Sequence, residues 1–132
     1  MDTRILVVDD SPAIIALMRD MLRAKGYSNV ETALTSEDAV KIAQASKPDI
    51  VFLDLMMPDT SGIELTKSLL EADPGAHIVL TTALPPSHEA VVMAVSQGAE
   101  EYLSKPLRPA AVASVLNQIS REGSARHDMS YG

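Results

Sequence analysis

The feature that most constrains this chain is a repeated alternation. Five short apolar runs each give way to a segment of helical period. Arg4–Val8 opens the series, and Asp9 and Asp10 follow at once. Ser11 can cap a helix with Pro12 at its first position, where the missing N–H costs nothing. Ile14, Ile15, Met18 and Leu22 then share one helical face, which Gly26 ends. Asn29–Ala33 is a weak second strand, and Thr35–Asp38 starts a helix with Ala39, Ile42 and Ala43 inward. Lys47-Pro48 breaks that helix. Ile50–Leu53 is apolar without alternation, as expected of a strand covered on both faces, and runs into Asp54.

The second half repeats the pattern. Ser61 and Glu64 have the spacing of a capping box ahead of Leu65, Leu69 and Leu70, and Pro74-Gly75 closes that helix. Ile78–Leu80 runs into Thr81-Thr82-Ala83. Pro85-Pro86 opens a loop or a helix start, and Val91, Ala94 and Val95 form a stripe ended by Gly98. Tyr102-Leu103 is a short fifth strand. After Lys105-Pro106, Val112, Val115, Leu116 and Ile119 mark the last helix. Strict alternation of this kind implies an α/β fold, a parallel sheet with helices on both faces. The expected domain covers residues 1–121, and residues 122–132, which lack an apolar stripe, are expected to be a flexible tail or the stump of a linker.

Composition narrows the function. The chain has 132 residues, 46% of them hydrophobic, enough for one domain with a real core. It has no cysteine, so neither disulfide nor thiolate chemistry is available. No apolar run approaches bilayer-spanning length and no signal peptide is visible, so a cytoplasmic protein that does not enter membranes is expected. A net charge of −7 with no basic stripe argues against direct nucleic-acid binding. His77, His88 and His127 show no metal-ligand spacing and read as surface residues.

The acids fall where chemistry is expected. Ligands of open α/β sheets bind at the carboxyl ends of the strands, where strand order switches. Asp9 and Asp10 sit just past the first strand and Asp54 just past the third. If those strands are neighbours, three carboxylates converge, and their repulsion calls for a hard divalent cation such as Mg²⁺. Thr82 and Lys105 end the fourth and fifth strands and add a hydroxyl and an ammonium. A carboxylate in such a set can act as a nucleophile toward phosphorus. A lone Asp after a strand is more often a turn or cap residue; the joint placement of all five groups favours the chemical reading.

These residues resemble a known family. Val8-Asp9-Asp10-Ser11, Leu53-Asp54-Leu55-Met56-Met57-Pro58, Gly62, Thr82-Ala83, Gly98-Ala99, Tyr102 and Lys105-Pro106 are similar to the receiver domains of response regulators, over residues 4–121. The resemblance implies a flavodoxin-like (βα)5 fold with strand order 2-1-3-4-5. It implies that Asp54 accepts a phosphoryl group from a sensor histidine kinase or phosphotransfer protein. Mg²⁺, or Mn²⁺ in its place, would be held by Asp10 directly, Asp9 mainly through water, Asp54, and the backbone carbonyl of Met56. Thr82 and Lys105 would bind the phosphoryl group, Tyr102 would swing inward behind Thr82, and a cis peptide would precede Pro106. The face of the fourth helix, fifth strand and fifth helix would then select a downstream target, an output domain or a second copy in a phosphorylation-dependent dimer. Such a chain is a signalling switch that catalyses only its own phosphorylation and dephosphorylation.

Three features refine the pattern. The segment from Thr82 to Lys105 is one residue longer than in many receivers, and Leu84-Pro85-Pro86 stiffens the loop after Thr82. Met56 and Leu84 occupy two positions that tune dephosphorylation in the family. Both are apolar, so they read either as packing residues or as poor guides for an attacking water. Val91–Val95 is apolar throughout, so Val92 or Met93 must face outward, as a scattered residue or as a partner contact. Three rival functions fit the residues less well. An aspartyl-nucleophile phosphatase would want a second acid where Met56 stands. A phosphorylation-independent interaction module is opposed by the intact acid set. A flavin protein would want a hydroxyl-rich loop after the first strand.

Overall fold

The computed structural model describes residues 3–131, with side chains as far as residue 120. Five strands and five helices alternate: β1 Ile5–Val8, α1 Pro12–Ala24, β2 Val30–Ala33, α2 Ser36–Ser46, β3 Ile50–Asp54, α3 Gly62–Ala72, β4 His77–Thr82, α4 Glu89–Ser96, β5 Glu101–Ser104 and α5 Pro109–Tyr131. All strand pairs are parallel, in the order β2-β1-β3-β4-β5. This is the doubly wound, flavodoxin-like arrangement. The tail expected over residues 122–132 falls where side chains lie outside the described residues; the backbone is helical there through Tyr131.

The lack of alternation in the central strands has a simple cause. Successive side chains point to opposite faces, and both faces are covered. Leu6, Val8, Val51 and Leu53 enter one core with Ala39, Ala43, Leu65, Leu69, Val91 and Ala94 from α2, α3 and α4. Ile5, Val7, Ile50 and Phe52 enter the other with Ile15, Met18 and Leu22 of α1 and Val112, Leu116 and Ile119 of α5.

Local chemistry sets the helix starts. Ser11 Oγ accepts from Ile14 N, Thr35 Oγ1 from Asp38 N and Ser61 Oγ from Glu64 N, at 3.3, 3.2 and 3.1 Å. The capping box expected at Ser61 is only half built. The Glu64 carboxylate accepts from the Thr60 hydroxyl at 3.4 Å instead of turning to the Ser61 N–H. At Gly62 a Cβ would lie 2.6 Å from the Leu55 carbonyl oxygen and 2.8 Å from its Cα, so α3 can begin this close to β3 only on a glycine.

The fourth helix departs most from expectation. Pro85 and Pro86 lie in a loop, and α4 begins at Glu89, capped by His88, whose Nδ1 accepts from Ala90 N at 3.0 Å. Val95 does not join the inward stripe. Val91 and Ala94 are buried, whereas Val92, Met93 and Val95 are 55%, 43% and 50% exposed. An eight-residue helix laid on one sheet face has only a narrow buried stripe, and Val91 with Ala94 fills it.

Candidate functional site

The sheet register brings the acids together. Val8 pairs with Leu53, so the residues that follow them, Asp9 and Asp54, leave neighbouring strands side by side. Asp10 comes one residue later, at the entrance to α1. One carboxylate oxygen from each of Asp9, Asp10 and Asp54 lies within 4.8 Å of the others. Asp9 and Asp54 are buried and Asp10 is exposed, so the cluster has a closed floor and an open mouth.

Lys105 reaches the floor from the end of β5. Its Nζ lies 2.9 Å from Asp9 Oδ2 and 3.6 Å from Asp54 Oδ2. Backbone donors take the other oxygens. Ser11 N donates to Asp9 Oδ1 at 2.9 Å and Met56 N to Asp54 Oδ1 at 3.0 Å. Burial raises the Asp54 carboxyl above its ordinary range, and Asp9 and Asp10 add to the rise; the Met56 N–H and the Lys105 ammonium oppose it. Three converging carboxylates are a donor set that suits a hard divalent cation.

Thr82 and Tyr102 form a second, linked group. Thr82 is buried, and its Oγ1 accepts from Leu84 N at 3.1 Å. The Leu84 carbonyl in turn accepts from the Tyr102 hydroxyl. Lys105 N donates to the Thr82 carbonyl at 2.9 Å, so the backbone joins this group to the acidic floor. The Lys105–Pro106 peptide is cis.

The role of Leu84 as the bridge between Thr82 and Tyr102 is invisible in sequence because it uses backbone atoms. Leu84 packs against the core, as a loop-packing residue should. Met56 is 60% exposed and does not fill a gap; it stands at the mouth of the site. With Asp10, Met57, Pro58 and Ala90 it lines an open cleft of about 400 Å³. His77 is not a plain surface residue either, since its Nδ1 lies 2.7 Å from Glu100 Oε2, at the sheet end away from the acids.

The fold and the site together have the form of a receiver domain. The profile of the response regulator receiver domain matches residues 5–117, and the chain belongs to that family. It is 32% identical over 121 residues to the chemotaxis protein CheY of Thermotoga maritima, covering 92% of this chain and all of that one. It is 36% identical to the alkaline phosphatase synthesis transcriptional regulatory protein PhoP of Bacillus subtilis, of which it spans 50%. A response regulator protein from Burkholderia pseudomallei, solved with a phosphorylated aspartic acid, calcium ion and citrate, superposes with a TM-score of 0.80 at 30% identity, over 97% of this chain and 74% of that one. Receiver domains are signalling switches. Among the described residues no helix is long and apolar enough to cross a membrane.

Proposed function

We propose that Asp54 is the phosphoacceptor of a cytoplasmic two-component system. The observation that carries this is the convergence of three carboxylates within 4.8 Å, with the Lys105 ammonium 3.6 Å from Asp54. An Asp54 oxygen attacks the phosphorus of a phosphohistidine on a sensor kinase or phosphotransfer protein. The new O–P bond forms as the P–N bond breaks, and the imidazole keeps the electron pair and takes up a proton. Lys105 exchanges its contacts with Asp9 and Asp54 for one phosphoryl oxygen, and the Thr82 hydroxyl turns to another. The phosphorylated aspartic acid of the Burkholderia relative supports this reading.

Asp9, Asp10, Asp54 and the Met56 carbonyl would hold Mg²⁺, or Mn²⁺ in its place. When bound, the cation supplies positive charge against the incoming phosphoryl oxygens. When Thr82 turns, the Leu84 N–H loses its acceptor, and the loop that Tyr102 holds by the Leu84 carbonyl is released to a new position. That couples added charge at Asp54 to the face of α4, β5 and α5. Exposed Val92, Met93 and Val95 make that face the docking surface for a downstream target, an output domain or a second copy. Residues 1–121 form the receiver unit, and the backbone of α5 continues beyond it to Tyr131.

The test is intact-mass analysis after incubation with Mg²⁺ and acetyl phosphate. A gain of one phosphoryl mass that needs Mg²⁺ and is absent in Asp54→Ala is expected. No gain with this donor, phosphoramidate or a panel of kinases would favour a phosphorylation-independent module. Apolar Met56 and Leu84 orient no attacking water, so Met56→Asn should lose the phosphoryl group faster than the parent; slower loss contradicts that role. Met93→Glu should phosphorylate normally yet associate less, and unchanged association rejects the docking face.

A further inference from the structure

We propose that Asp59 and Ser36 form a latch that sets the affinity of the acidic pocket for its divalent cation. The inference rests on the metal reading above and deepens it, because it concerns the loop that carries the Met56 carbonyl.

That loop, residues 55–61, is well held on its inner side. Leu55 N donates to the Thr81 carbonyl at 3.3 Å, Leu55 and Met57 are buried, and Gly62 sits against the Leu55 backbone. Its outer side has less support. Thr60 makes one long contact, 3.4 Å, to the helix that follows. Asp59 instead reaches across to a different element. Its Oδ2 accepts from both Ser36 N at 3.0 Å and Ser36 Oγ at 2.6 Å.

Ser36 is the first residue of α2, and the cap is already provided by Thr35. The Ser36 hydroxyl is therefore spent on the loop and not on its own helix. A carboxylate facing a free N–H at a helix start makes a charge-assisted bond. The tie lies only three residues from Met56, and α2 is anchored in the core through Ala39 and Ala43. A carbonyl held in place before the cation arrives needs no ordering on binding, and that saving appears as affinity.

Calorimetric titration with Mg²⁺ alone, on the whole chain without a phosphodonor, tests this. Groups that hydrogen-bond metal ligands directly contribute about 10- to 100-fold in affinity, and a tie one step removed should contribute less. Ser36→Ala and Asp59→Ala should each weaken Mg²⁺ binding by about five- to tenfold. Joined in one chain they should weaken it no further, because they break the same tie. Ser36→Thr, which keeps the hydroxyl, should bind as the parent does. Amide exchange at Met57–Thr60 should quicken in both alanine variants, a change that a mere loss of distant charge would not cause. A weakening confined to Asp59→Ala, with Ser36→Ala unchanged, would assign the effect to charge and overturn the latch. Equal affinity in all variants overturns it as well. Failure of the parent itself to take up Mg²⁺ overturns the metal reading and the latch together.

Discussion

The loops after β3 and β4 flank the same carboxylate and are held in opposite ways. Apart from the Met56 N–H on Asp54 itself, the loop after β3 is moored to parts that take no share in the reaction: the Thr81 carbonyl, the Gly62 backbone and the start of α2. The loop after β4 is moored to the side chains of Thr82 and Tyr102, both through Leu84. A hydroxyl beside a new phosphoryl group has a competing partner, whereas a buried backbone contact does not. The difference teaches that one site can carry a fixed wall, which positions ligands, and a releasable wall, which reports the charge.

The largest effect should come from attacking the fixed wall at its closest approach. Gly62→Ala forces a Cβ within 2.6 Å of the Leu55 carbonyl oxygen, so backbone must shift. A loss of about 3 kcal/mol in chemical denaturation is expected, and a loss under about 1 kcal/mol would show that the wall yields.

Next, Tyr102→Phe removes the bond to the Leu84 carbonyl from the releasable wall. Stability should fall by about 1 kcal/mol, with faster amide exchange over residues 83–88 and none over 55–61. Equal changes in both loops would erase the contrast.

A comparable effect of opposite sign is expected at Asp54. Its carboxyl is raised chiefly by burial, so the folded state favours the protonated form. That contribution is full below the ordinary carboxylate range and is lost as pH rises through the raised value. At neutral pH the charge opposes folding, and Asp54→Asn should stabilise by about 1 kcal/mol, roughly 3 °C in thermal midpoint. The gain should vanish as pH falls below the ordinary range, and a gain that persists there would deny the burial cause. The smallest effect is expected at an exposed residue of the loop after β4. Pro85→Ala should change stability by no more than about 0.5 kcal/mol, because Pro85 is exposed.

Much of this contrast was written in the chain, and its limits have physical causes. Ile50–Leu53 disclosed a central strand because two-sided burial needs an unbroken apolar run. Asp9, Asp10, Asp54 and Lys105 disclosed the site because each lies at or just past the end of a strand, and parallel strands end at one edge of the sheet. Val91–Val95 did not disclose its own orientation: five consecutive apolar residues fit several helical faces, and Val95 fell outside. The Ser36–Asp59 tie was hidden for a different reason. It joins the first residue of α2 to a loop residue 23 positions on, and neither carries a periodicity that points to the other. The Leu84 bridge runs through backbone atoms, which every residue possesses.

Peptide-resolved hydrogen exchange, before and after acetyl phosphate with Mg²⁺, tests most directly whether charge on Asp54 is read by one wall and not the other. Altered protection over residues 83–88 and along α4, with residues 57–61 unmoved after metal alone is subtracted, is the predicted result, and Asp54→Ala should abolish it. An equal change in both loops, or a change that survives in Asp54→Ala, would contradict it.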